Sequence, residues 1–222
     1  MKITPFLLLA GGLCVAAIGQ AAEPTVVPET KLSWVDENDT AVADLRQSGE
    51  RLIDRIGGMM LSEVRRVIAN KGLEQAAEEV HLRNMELPTA VPGKPRILAI
   101  KRTSLRLRNP LNAPDEADLA ALHYIQKELI DGNNPPRSLM QRIESAGKPV
   151  EYRVYKPIAV MPDCLLCHGS KEAQIPGLQQ SLERQFPEDK AVNYNEYDWR
   201  GVIRVTVAAP LTDGTPAAPT KH

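Results

Sequence analysis

Between residues 40 and 70 the apolar positions recur every three or four residues: Leu45, Leu52, Ile53, Ile56, Met60, Val64, Val67 and Ile68, with Glu, Arg and Asp between them. That spacing gathers them into one stripe and predicts a long amphipathic helix over 40–70. Gly57-Gly58 falls inside it, where a glycine pair kinks a helix or lets a neighbour pack close. After Lys71-Gly72 the same period predicts a second helix to about Met85, stopped by Leu87-Pro88. Its apolar face reads Leu73, Ala77 and Val80, and His81 falls on that face by spacing. A histidine so placed is by default a satisfied core residue.

Further on the period shortens. Residues 96–101 (Arg-Ile-Leu-Ala-Ile-Lys) read as a strand, followed by a polar segment over 102–114. In that segment Arg102, Arg106 and Arg108 alternate with apolar or small residues, as on one basic face of an extended chain. A helix is predicted next, capped by Asn112 or its neighbour, with Pro114 in its first turn and Asp115 and Glu116 near its positive end. It runs to about Ile130 with Leu119, Leu122, Ile125 and Leu129 inward, and Asp131 to Pro136 end it. His123 lies in this helix. Residues 150–158 alternate as a strand, and 201–208 form the clearest strand in the chain.

The two ends are of different character. Residues 1–22 carry a charge at Lys2, an apolar run from Phe6 to Ile18, and small residues at Gly19, Ala21 and Ala22. This is the pattern of a secretory signal peptide cleaved after Ala21 or Ala22, and its apolar run is short for a membrane span. Residues 23–39 are rich in Pro, Glu and Thr without periodicity and read as a flexible lead-in; the tail over 210–222 reads as disordered. One domain over 40–209 is expected between them. The formal net charge is -1, and loss of Lys2 on cleavage makes it -2, so no nucleic acid or anionic membrane surface is expected as a partner. No later stretch is apolar enough for stable membrane insertion, and a periplasmic setting is expected. Cleavage also removes Cys14, leaving two cysteines.

Both of those fall in Cys164-Leu165-Leu166-Cys167-His168, the C-x-x-C-H pattern of c-type haem attachment. Two thiols three residues apart on one helical turn reach the two vinyl groups of one porphyrin, and the adjacent imidazole supplies a nitrogen to the iron. A structural zinc site would need a second ligand pair, which the chain lacks. A thioredoxin-type dithiol sits early in its fold, whereas this motif sits late. A disulfide across so short a loop would gain little from closure. The cofactor expected is therefore one haem c, bound through Cys164 and Cys167, with His168 as axial ligand. Arg102 and Arg108 are candidates to pair with its propionates, with a solvated strand edge as the plain alternative.

Taken together, several segments resemble the PAS-like single-haem c-type proteins, found free in bacterial periplasms, including those of cyanobacteria, and as sensor parts of signalling kinases. They are Arg102-x-Ser104, Arg108-Asn109-Pro110-x-Asn112-x-Pro114 with Glu116, and residues 152–158 before Cys164-Leu165-x-Cys167-His168-Gly169. Asp189-x-Ala191, Tyr194 and Arg200-Gly201 complete the set. The resemblance spans about 73–207. It implies an α+β fold, an antiparallel PAS-like sheet with flanking helices, and a haem held between the C-x-x-C-H turn and an N-terminal helix. Relatives of this kind carry a cysteine on that helix, in an Ala-x-x-Val-Cys-like context, as second axial ligand. Here the chain reads Ala77-Glu78-Glu79-Val80-His81. The resemblance thus implies a bis-histidine iron with His81 opposite His168, and Met85 and His123 as alternatives.

Two strong ligands would close the iron to small molecules, so the expected function is one-electron transfer with a separate redox protein as partner. The alternative is a redox or gas (NO or CO) sensor in which the distal ligand gives way. An enzyme would need an open iron face with acid and base groups beside it, and no such constellation is identifiable, so none is expected.

Overall fold

The computed structural model describes residues 30–79 and 86–210. The predicted signal peptide with Cys14, His81, Met85 and the tail from 211, with His222, lie outside the described residues. The chain forms an α+β domain: a five-stranded antiparallel sheet flanked by helices. In chain order the elements are β1 (Thr30–Trp34), α1 (Ala43–Lys71), α2 (Leu73–Glu79), β2 (Arg96–Thr103) and α3 (Glu116–Ile130). Then come β3 (Leu139–Ser145), β4 (Glu151–Ala159), α4 (Leu165–His168), α5 (Pro176–Gln185) and β5 (Trp199–Ala208). The strand order is β1-β3-β4-β5-β2.

Each face of the sheet carries one long helix. On one face α1 lays Leu45, Ile53 and Ile56 against Met140, Val154, Ile203, Val205 and Val207. Burying one such side chain contributes roughly 1.5–3 kcal/mol relative to leaving it in water. The helix runs unbroken through Gly57-Gly58, where an added Cβ would meet open space. The glycine that matters is Gly49, whose Cβ would come within 2.7 Å of Val154 Cγ2. It lets α1 lie close on β4. At the far end Gly72, with φ 88°, closes the helix by donating its N–H to Ile68 O.

On the other face α3 packs Ala121, Leu122 and Ile125 against Tyr155 and Val202. Its cap differs from the expected one. Asp115 is the N-cap and forms a capping box with Asp118, leaving Pro114 outside the helix. Asn109 instead caps a single 3-10 turn, Pro110–Asn112, by accepting from Leu111 N at 2.9 Å. The fully buried Asp118 then does a second job. Its carboxylate meets Lys101 Nζ at 2.8 Å and guanidinium nitrogens of Arg153 and Arg204, each at 3.4 Å. Tyr155 Oη lies 3.3 Å from it, and burial pushes that phenol's pKa up.

Three elements, β1, β3 and α5, fall where no strand or helix was expected. β1 lies in the stretch read as lead-in: Leu32 pairs with Ile143 and Trp34 with Gln141, so the edge of the sheet begins at Thr30 rather than after Asp39. α5 buries Leu178, Ser181 and Leu182, and Ser181 Oγ donates to Glu78 Oε1 of α2 at 3.0 Å. Among the described residues no helix is long and apolar enough to cross a membrane.

Candidate functional site

The C-x-x-C-H segment forms the short helical turn its spacing predicts. Cys164 ends a 3-10 turn that begins at Pro162, and α4 carries Leu165, Leu166, Cys167 and His168. Cys164 N donates to Met161 O at 2.8 Å and Gly169 N to Leu165 O at 2.8 Å, so both thiols and the imidazole ride on one hydrogen-bonded turn. Both cysteines are free and half-buried. Burial pushes the Cys167 thiol up in pKa, only partly offset by Arg108.

A loop between α5 and β5 grips this turn from one side. Asn193 N donates to Gly169 O at 2.8 Å and Tyr194 N to His168 O at 3.0 Å. His168 Nδ1 lies 2.7 Å from Ala191 O. A carbonyl oxygen can only accept, so Nδ1 carries the proton and the neutral ring keeps its lone pair on Nε2. Desolvation drives the imidazole pKa well below its usual value, and the charges of Arg108, Arg200 and Arg102 push it the same way. The ring is thus held neutral with its basic nitrogen free, the state a metal ligand requires.

Asp189 and Arg108 hold the loop in place. Asp189 Oδ1 accepts from Ala191 N at 2.7 Å, and Oδ2 accepts from Arg108 Nε at 2.9 Å. Arg108 also donates Nη2 to Cys167 O and, at 3.3 Å, to Ala191 O. The guanidinium expected at a propionate is therefore committed to one carboxylate and two carbonyls. It braces the turn that carries the histidine.

Arg102 is different. It lies on β2 paired with Ile203, so its side chain shares the sheet face covered by α1, and no carboxylate pairs with it among the described residues. Desolvation lowers its pKa, and the negative form of the Cys164 thiol is the largest opposing charge. Sequence reasoning did not single out Arg200 as a site residue. Only 7% exposed, it donates Nη1 to Arg106 O at 3.0 Å and leaves Nε buried without a partner. Desolvation and the nearby Arg102 charge bring its pKa down to about 10. Its guanidinium lies 5.4 Å from the Tyr194 ring centre, and that of Arg106 lies 4.0 Å away. The Tyr194 ring meets His168 edge-on at 6.2 Å. Gly201 makes this crowding possible: a Cβ there would sit 2.4 Å from Thr103 O, and its φ of 142° suits glycine.

The expected basic face of an extended segment is thus divided. Arg102 stays on the strand, while the chain turns at Ser104, whose Oγ accepts from Arg106 N at 3.0 Å, and sends Arg106 and Arg108 to different partners. His123 is exposed on α3 and makes no ring or hydrogen-bond contact among the described residues. Among those residues no group of three or more His, Cys, Asp and Glu is placed to hold a metal ion, so the turn itself offers two thiols and one imidazole.

No curated protein matches the chain. A solved structure, described as the cyanobacterial haem protein Tll0287, is similar at 18% identity and a TM-score of 0.45, covering 81% of this chain and 99% of that one. A family model described as Tll0287-like matches residues 43–208, from the first residue of α1 to the last of β5. The chain belongs to the Tll0287-like family.

Proposed function

We propose that this chain is an exported single-haem c-type protein that carries one electron. The observation that carries the reading is the turn: Cys164 and Cys167 three residues apart on one hydrogen-bonded helical segment, beside a His168 whose Nδ1 is committed to Ala191 O at 2.7 Å. That donor set fits a haem. Thioethers need two thiols on one turn, and an axial bond needs a neutral imidazole with Nε2 free. The protein whose name the family carries is described as a haem protein, which supports the same cofactor here. When bound, the haem supplies an iron that gains or loses one electron without a covalent rearrangement.

The chain's own residues do the rest. Cys164 and Cys167 hold the group covalently, and the loop over 189–194 orients His168. The half-buried Arg102 and the buried Arg200 supply positive charge with which no carboxylate of the described residues forms an ion pair. His81, on the sequence argument, would supply a second nitrogen to the iron and would close it to outside ligands. We read the sheet, in which the last strand lies between β4 and β2, as PAS-like, and the leader over 1–22 as the export signal that places the protein in the periplasm.

The test is an absorption spectrum of the reduced protein, matured in a periplasm with haem-attachment machinery, before and after adding CO. An unchanged low-spin spectrum is expected for electron transfer. A prompt shift would overturn that function in favour of sensing or small-molecule binding.

A further inference from the structure

We propose that Arg108 is a positioning residue that sets the reduction potential through His168, acting on the carbonyl they share, and that Asp189 limits its effect. This rests on the haem reading. Ala191 O accepts from His168 Nδ1 at 2.7 Å and from Arg108 Nη2 at 3.3 Å. A second, cationic donor on one carbonyl oxygen draws density from its lone pairs and makes it a weaker acceptor for the imidazole N–H. A more weakly bonded N–H leaves the ring less anionic, and Nε2 becomes a poorer donor to a metal. Electron gain at the iron lowers the local charge by one unit, so the nearby guanidinium also favours the reduced form directly.

Both effects act in one direction, and Asp189 opposes them. Its Oδ2 accepts from Arg108 Nε at 2.9 Å, and the two side chains are only 13% and 7% exposed, so solvent and salt screen the pair little. The carboxylate also fixes the loop by accepting from Ala191 N at 2.7 Å, which keeps the shared carbonyl in register with the ring. The pair thus works as an opposed couple beside the axial ligand. A purely structural brace would behave otherwise, because losing either partner would loosen the same loop.

That difference gives the test. Redox titration of the holoprotein is compared for the parent, Arg108→Gln and Asp189→Asn, each first checked for covalently retained haem and parental helix content. Arg108→Gln removes the charge and is expected to shift the potential negative. Asp189→Asn keeps the shape and an oxygen acceptor, leaves the guanidinium uncompensated, and is expected to shift it positive. Shifts of the same sign, or none in either variant, overturn the proposal. If Arg108→Gln does not fold, Asp189→Asn decides alone, and an unchanged or negative shift overturns it. Absence of covalent haem from the parent would instead sink the haem reading itself.

Discussion

The molecule holds two clusters of charge that reach from its surface into its interior, and they are built to opposite rules. On the α3 face three cations, Lys101, Arg153 and Arg204, converge on two carboxylates, Asp118 and Asp115. Beside His168 four guanidiniums, those of Arg102, Arg106, Arg108 and Arg200, gather with one carboxylate, Asp189. The first cluster nearly closes its account, as a buried structural network must if charge is to be kept out of water. The second leaves Arg102 and Arg200 without a carboxylate among the described residues, whereas Arg153 and Arg204, which like Arg200 keep a buried Nε without a partner, each face one. Uncompensated buried charge costs stability, so it is kept where it acts on something. Here it surrounds an imidazole.

The largest effect expected from this contrast is at Asp118. Asp118→Ala leaves three cations facing one another around a vacated buried site and should cost about 3–5 kcal/mol, read as a large fall in melting temperature. A fall under about 1 kcal/mol would show that the network is not load-sharing as described. Asp115 ranks second. Asp115→Ala removes the N-cap of α3 and an ion pair to Arg153, and about 1 kcal/mol is expected in denaturant titration. The same group sharpens the contrast through pH. Burial pushes the Asp115 carboxyl up, but the hydrogen bond from Arg153, the Asp118 N–H and the Arg204 charge together hold it below the ordinary aspartate range. A depressed carboxylate stabilises the fold above its unfolded pKa, and that contribution is lost as pH falls through the folded value. Acid unfolding profiles should therefore lose one component in Asp115→Asn. The smallest effect belongs to the other cluster. Arg200→Met removes an undercompensated buried cation, so the stability of the haem-free chain should change by less than about 1 kcal/mol in either direction. A loss as large as that for Asp118 would erase the distinction.

How far the sequence reaches depends on the range of the interaction. The long stripe from Leu45 to Ile68, the alternation over 201–208 and the C-x-x-C-H turn are set by neighbours three or four positions away, and each forms where its pattern lies. β1 was hidden because only Leu32 and Trp34 mark it, inside a stretch rich in Pro and Glu, and its partner β3 lies more than a hundred residues on. The capping error at α3 arose among several competent residues, Asn109, Asn112 and Asp115, whose choice depends on how the chain leaves β2. At the site, Arg108 reads from sequence as a candidate for a propionate or as part of a solvated strand edge, and its partner Asp189 lies 81 residues away. Arg200 enters the sequence reading only within the Arg200-Gly201 segment of the resemblance, because nothing in its near neighbours marks it as buried. Only the packing of Tyr194 and Gly201 reveals that it is buried.

Peptide mass spectrometry of the protein, exported by a host with haem-attachment machinery, tests the central claim most directly. Proteolysis should release the peptide spanning Cys164 and His168 with the mass of one haem added, and Cys164→Ser with Cys167→Ser together should abolish it. The same peptide recovered from the parent with free thiols, or with a disulfide between them, would contradict the account.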